Sequence, residues 1–356
     1  AASVEIWIWR KYKTKIKMKM SIMRLVLCIW TLLFLVASKC SLALKLNGFT
    51  RRDALRTATA AAGGLALPAA LPLIAKSSEP VAKNSFDLGD GLDFPLVSFG
   101  LQIYDDETAY RLTLTALEVG YRNFFASVLA GNQKGFAKAV RDSGVPRKDL
   151  FICGSVVSNR ASGFDAAKKA TSRGWLANME AFSAGNIDYL DQIMLDYPGP
   201  DAYSIQGQWR AFEEMHSQKL TKSLSVSNFS PAQLDYILND ATSTVKPVVN
   251  QLPFSVAYHP GNSVKENSKR GVLVQAWAPL GGSLGGRFSS QMKGVCSEIG
   301  RRYGKSGAQV ALRWIIQSGA AVCTQTKKKS HFVEDLDIFD FNLTDEEMGT
   351  LSKLAV

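Results

Sequence analysis

The chain is poor in the residues that build metal and redox centres. It has three histidines, His216, His259 and His331, in separate segments, and five cysteines with no Cys-x-x-Cys pair among them. Ligands scattered in this way exclude a zinc-finger scaffold and give no metal constellation. Cys28 and Cys40 lie near the N-terminus; Cys153, Cys296 and Cys323 remain, an odd number that pairing cannot exhaust. We read these three as buried thiols, Cys153 and Cys323 on apolar strands, with a single reactive thiol among them as the alternative. Net charge is missing where the chain is longest. Residues 1–76 hold 13 Lys and Arg against 2 Asp and Glu, whereas residues 77–356 hold 29 of each sign. The folded part therefore has no net attraction for nucleic acid, and no such partner is expected. Apolar length is short as well, which favours a secretory signal, with a signal anchor as the alternative. The apolar run Leu25–Ala37 has 13 residues, short of the roughly 20 a spanning helix needs. Finally, the first strand-like run leads into Phe99-Gly-Leu-Gln-Ile, which is no Gly-rich phosphate loop of the kind a doubly wound sheet would place there.

What is present begins with two address-like segments. A Lys-rich string (Arg10, Lys11, Lys13, Lys15, Lys17, Lys19) reads as upstream sequence translated in frame, with Met20 or Met23 as the start. Arg24, the apolar run and the small residues of Ala37-Ser-Lys-Cys-Ser41 make a secretory-like signal at about 20–43. Arg51-Arg52 before the Ala-rich run Thr57–Ala75 resembles a twin-arginine signal at about 50–76, with a disordered linker as the alternative. Two signals in series imply two membranes crossed, as in the bipartite address of lumenal thylakoid proteins. The expectation is an exported protein of the plastid thylakoid lumen, with the secretory pathway as the alternative, and no membrane association of the mature domain.

Residues 77–85 read as a linker, and Phe86–Pro95, with Gly-Asp-Gly between apolar alternations, reads as an N-terminal β-hairpin. Eight strand-like runs follow: Leu96–Leu101, Arg122–Ser127, Leu150–Val157, Tyr189–Leu195, Ser223–Val226, Val248–Leu252, Leu273–Trp277 and Ala321–Thr324. Amphipathic stretches lie between them, among them Glu107–Val119, Gln133–Ser143, Phe164–Phe182, Ser204–Gln218, Pro231–Asn239 and Gly307–Gln317. This alternation predicts an α/β fold, a (β/α)8 TIM barrel over residues 86–356.

Gly120-Tyr-Arg-Asn-Phe-Phe-Ala-Ser-Val-Leu-Ala-Gly-Asn-Gln133 resembles the second strand and loop of the aldo-keto reductases. The resemblance continues through Tyr189–Pro198, Lys222–Phe229, Val249-Asn-Gln251, Ala276–Gly281, Tyr303–Trp314 and Phe339–Glu347. It implies the barrel fold and a nicotinamide-dependent carbonyl reduction. In that family a tyrosine donates the proton while an aspartate, a lysine and a histidine tune it. Here Phe125 stands for the aspartate, Ala130 for the tyrosine, Ser155 for the lysine and Asp196 for the histidine. Within two residues of each position the lost residue type does not recur. Asp196 is either a new acid or base, with Ser155 as a hydrogen-bond partner across the barrel top, or a group that merely solvates the pocket or caps a turn.

By the same resemblance Ser227, Asn228 and Gln251 would hold a nicotinamide carboxamide, Trp277 would stack on the ring, and Leu280 and Gly282 would lie at the pyrophosphate. At the adenosine end the phosphate-pairing lysine is Gln325, beside Thr326, and the later arginine is His331; Glu334 and Asp335 stand where the family contacts adenine. Each lost charge-assisted bond would cost about 1.5–3 kcal/mol, or about ten- to a hundredfold in affinity. Lys327–Lys329 are either replacements or a solvated loop. The expectation is a monomer that binds NADP(H), another small molecule or a protein partner without the family's standard activity. An oxidoreductase with relocated proton transfer and a purely structural partner are the alternatives.

Overall fold

The computed structural model describes residues 84–355 apart from residue 90 and residues 283–285. Both address segments lie outside the described residues. Two short strands, β1 (Ser85–Asp87) and β2 (Asp93–Pro95), pair antiparallel. The hairpin thus begins at Ser85, which pairs with Pro95, one residue earlier than the sequence suggests. Eight parallel strands then close into a barrel: β3 (Val97–Gly100), β4 (Asn123–Phe125), β5 (Phe151–Val156), β6 (Leu190–Asp196), β7 (Thr221–Ser227), β8 (Val249–Pro253), β9 (Leu273–Trp277) and β10 (Ala321–Thr324), with β10 pairing to both β9 and β3. The chain is a (β/α)8 TIM barrel with an N-terminal hairpin.

The main helices are α1 (Asp106–Val119), α2 (Gln133–Ser143), α3 (Phe164–Phe182), α4 (Ala202–Ser217), α5 (Pro231–Leu238), α6 (Ser263–Ser268), α7 (Ser290–Tyr303), α8 (Gly307–Gln317), α9 (Lys329–Leu336) and α10 (Asp345–Ser352). Their ends are set by local chemistry. Asp105 accepts from the Thr108 amide at 2.7 Å to start α1, and Gly120, at φ 117°, ends it in a left-handed turn open to glycine. Ser230, Ser306 and Thr344 form reciprocal capping boxes with Gln233, Gln309 and Glu347. Helices α3 and α4 approach so closely that a Cβ on Gly207 would lie 2.2 Å from the Phe164 carbonyl oxygen.

One large apolar layer joins helices to the outer strand faces, where Phe99, Phe124, Ile193, Leu224 and Val274 are fully buried or nearly so. A second cluster closes the N-terminal mouth. Phe94 of the hairpin packs edge-on against Phe151 at 4.9 Å, with Val249, Leu273 and Ala321 at the starts of their strands. Inside the barrel a polar chain runs from Gln251 Nε2 to Gln275 Oε1 (2.8 Å), from Gln275 Nε2 to Ser98 Oγ (2.9 Å), and on to the Val322 carbonyl (3.2 Å). Buried amides and hydroxyls that pair in this way avoid the cost of desolvation.

Candidate functional site

The open mouth of the barrel is at the strand C-termini, where such folds carry their ligand sites. A pocket of about 400 Å³ opens there. Its wall draws Phe125 from β4, Asp196 and Tyr197 from the end of β6, Ser227 and Asn228 from β7, and Gln251 from β8. Trp277, Ala278, Gly281 and Gly282 follow β9, and Cys323 and Gln325 come from β10 and its loop. Gln102, Ile103 and Leu129 complete the rim.

Three strand ends are tied together by side chains. Trp277 Nε1 donates to Asn228 Oδ1 at 3.2 Å. Asn228 Nδ2 donates to Asp196 Oδ1 at 3.3 Å and to Ser227 Oγ at 2.9 Å. Asn228 reaches both neighbours from a left-handed backbone, φ 64°, a conformation asparagine tolerates better than most residues. Burial pushes the Asp196 carboxyl up to about 6 from its ordinary 3.8, against the opposing hydrogen bonds of Ser227 and Asn228. Burial, and then the Asp196 charge, raise the Tyr197 phenol. Burial also lifts the Cys323 thiol to about 11, so it is no ready nucleophile.

A family model described as the aldo/keto reductase family matches residues 96–356. The chain belongs to the aldo-keto reductase family. A glyoxal reductase of Bacillus subtilis (strain 168) is 31% identical over 279 residues, covering 76% of this chain and 93% of that protein. A methylglyoxal reductase of Escherichia coli O157:H7 is 27% identical over 272 residues, 75% of this chain and 92% of the relative. A crystal structure of an aldo/keto reductase from Brucella melitensis superposes with a TM-score of 0.66 at 27% identity, covering 76% of this chain and 98% of that one.

The aldo-keto reductase positions fall into two groups in space. Phe125 and Asp196 face the pocket, whereas Ser155 is buried beneath it and Ala130 is half-buried outside its lining. The expected bond between Ser155 and Asp196 is not made: Ser155 Oγ accepts from the Val128 amide at 3.3 Å, and Asp196 turns to β7 instead. Phe125 packs with Cys153, Met194 and Cys323 in an apolar cluster at the pocket floor.

The family residues that persist around Phe125 hold the barrel. Asn132 donates to the Leu101 and Tyr104 carbonyls, the latter at 2.9 Å, and accepts from the Ser127 amide at 3.1 Å. That last bond takes up the Ser127 amide, so β4 ends at Phe125, short of the expected Ser127, although the Ala126 amide still donates to the Cys153 carbonyl of β5 at 3.0 Å. Arg122 caps the end of α1 through the Leu117 carbonyl at 3.2 Å.

The residues assigned to a dinucleotide divide likewise. Ser227, Asn228, Gln251, Trp277, Gly282 and Gln325 share the pocket, while Leu280 is exposed and outside its lining. The Gly282 amide already donates to the Gly286 carbonyl at 3.0 Å, and Gln325 Nε2 to Gln102 Oε1 at 2.6 Å. Thr326 Oγ1 pairs with His331 Nδ1 at 3.2 Å, and Glu334 accepts from Ser306 Oγ at 3.2 Å. The Asp335 carboxyl turns inward, 5% exposed, and accepts from the Tyr121 hydroxyl at 3.2 Å. Among Lys327–Lys329, Lys329 pairs with Glu118 at 2.5 Å.

The sequence reading missed Tyr197, Leu129, Ile103 and Cys323 as pocket residues. Among the described residues no group of three or more His, Cys, Asp or Glu is placed to hold a metal ion, and no helix is long and apolar enough to cross a membrane.

Proposed function

We propose that this aldo-keto reductase has given up the family's tyrosine-centred carbonyl reduction and binds a small ligand at the C-terminal mouth of its barrel, with NADP(H) as the nicotinamide partner. One observation carries the reading. The side chains that would orient a nicotinamide are joined in one pocket, while among the described residues no lysine or histidine lines it. Ser227, Asn228, Gln251 and Trp277 fit the nicotinamide end: two amides and a hydroxyl lie beside an indole with its N–H tied back to Asn228. The adenosine end fits less well, because Gln325 and His331 supply no permanent charge and the Gly282 amide is spent within its own loop. A nicotinamide held there would supply hydride chemistry. Asp196 and Asn228 would orient a polar group of the ligand, and Phe125 and Leu129 would exclude water from it.

A second reading, an oxidoreductase with relocated proton transfer, is favoured by the Asp196–Tyr197 pair at the pocket wall. A carboxyl raised to about 6 is poised to give and take protons near neutrality.

Titration of the purified protein with NADPH, NADP⁺ and NADH, followed by tryptophan fluorescence and calorimetry, tests the first reading. Quenching lost in Trp277→Phe, without turnover of glyoxal, methylglyoxal or a wider carbonyl set, is the expected result. Turnover abolished in Asp196→Asn would replace it by the second. Absence of nicotinamide binding up to about millimolar concentration, roughly −4 kcal/mol, would remove the cofactor from both.

A further inference from the structure

We propose that the ligand of this pocket is an organic cation, an ammonium or iminium group on an apolar frame, with the Asp196 carboxylate as its counter-ion and the Trp277 and Phe125 rings as its walls. The inference rests on the ligand-binding reading above and specifies the ligand's chemical class.

The pocket is one-signed. Of the fifteen described residues in its wall, Asp196 is the only one with a formal charge at neutral pH. No Lys, Arg or His among the described residues pairs with it, although twelve other ion pairs are formed. The groups that face the carboxylate are neutral dipoles or weak acids. Ser227 and Asn228 bond it from β7, the Tyr197 phenol follows it in the chain, and the Cys153 thiol on β5 lies within its electrostatic reach. A carboxylate only 9% exposed, with no cation beside it, keeps a large unmet preference for positive charge.

The rest of the wall suits the frame of such a ligand. Aromatic faces attract organic cations, and alkylated ammonium groups lose little hydration on entering an aromatic pocket. The rim is apolar, with Ile103 69% and Leu129 63% exposed at its edge. Large apolar side chains are exposed here around a single buried charge, an arrangement that fits a ligand with one cationic centre. An anion would meet Asp196 with no compensating lysine. A neutral carbonyl would find no proton donor at the family's position, whereas a cation needs none to be held.

Binding a fixed positive charge favours the ionised carboxyl, so affinity falls as pH drops through the Asp196 titration. The test uses phenyltrimethylammonium, whose charge is the same at every pH, and its neutral isostere tert-butylbenzene, titrated into the purified protein by fluorescence and calorimetry. At about pH 7.5 the cation should bind at least about tenfold tighter than the isostere, and this preference should fall about tenfold by pH 5. In Asp196→Asn the cation and the isostere should bind alike. Equal binding of the two in the unaltered protein, or a preference that survives either pH 5 or Asp196→Asn, overturns the proposal. NADPH is titrated in parallel. If NADPH binds and the cation does not, the present inference fails and the nicotinamide reading stands; if the cation alone binds, the reverse holds. If neither binds, both fall.

Discussion

Strand β6 carries two buried aspartates, one at each mouth of the barrel, and they are treated in opposite ways. Asp191, near the strand start, is held by Arg147 at 2.7 Å and Lys222 at 2.9 Å and accepts from the Ile152 amide at 2.9 Å. Arg147 and Lys222 also sit over the Tyr189 ring, at 4.1 and 4.7 Å, under the mouth that Phe94 plugs. Asp196, at the strand end, has amide and hydroxyl partners and an open pocket before it. The same residue type on the same strand is thus a clamp at one mouth and an unneutralised charge at the other. Such a charge is retained at a cost to stability, a pattern more common in binding sites than in scaffolds.

Removing the clamp should have the largest effect. Asp191→Ala leaves Arg147, whose side chain is 17% exposed, without its carboxylate. A loss of about 3–5 kcal/mol is expected, the usual cost of stranding one partner of a buried pair. Urea unfolding measures it, and a loss below about 1 kcal/mol would mean that the hairpin plug, not the ion cluster, holds this mouth.

Asp196→Asn should act in the opposite direction. The folded carboxyl titrates at about 6 and the unfolded one at about 3.8, so between these values the native state holds the extra proton. Stability therefore falls as pH rises from 3.8 to 6 and stays lower above. The asparagine variant should be more stable than the parent by about 1–3 kcal/mol at pH 7 and equal to it near pH 4. Asp335, also raised to about 6 by burial, keeps a second share of the pH dependence, so the variant's profile should flatten without becoming level. Chemical denaturation across this range decides the sign.

The barrel was legible because parallel strands are buried on both faces and read as short apolar runs. Leu273–Trp277 and Ala321–Thr324 keep their expected bounds, as does the long helix Phe164–Phe182. Helices such as Asp345–Ser352 were overlooked, although Thr344 and Glu347 spell out a capping box. At the site, sequence located Asp196 but offered only Ser155 as a side-chain partner and not Asn228, because which strand ends converge is decided by barrel closure and register rather than by spacing. Tyr197 was hidden for a local reason. Alternation along β6 would turn it outward once Asp196 faces in, but the strand stops there and a backbone φ of 70° swings the phenol into the mouth.

The smallest expected effect tests whether the open mouth works as a unit. Trp277→Phe keeps the aromatic wall and deletes the N–H that donates to Asn228 Oδ1. The site is half-open, so the loss of stability should be only about 0.5–1.5 kcal/mol. Its informative consequence is electrostatic. Without the indole N–H, the Asn228 amide is oriented by its Ser227 bond alone, and its Nδ2 is less firmly aimed at Asp196. A carboxylate that loses an oriented donor loses stabilisation of its charged form, so the Asp196 titration should move further up. Carboxyl carbon chemical shifts of Asp196 against pH, in parent and variant, read this directly. An unmoved midpoint would show that Trp277 and Asp196 act independently, and that the contrast between the two mouths is a matter of the aspartates alone.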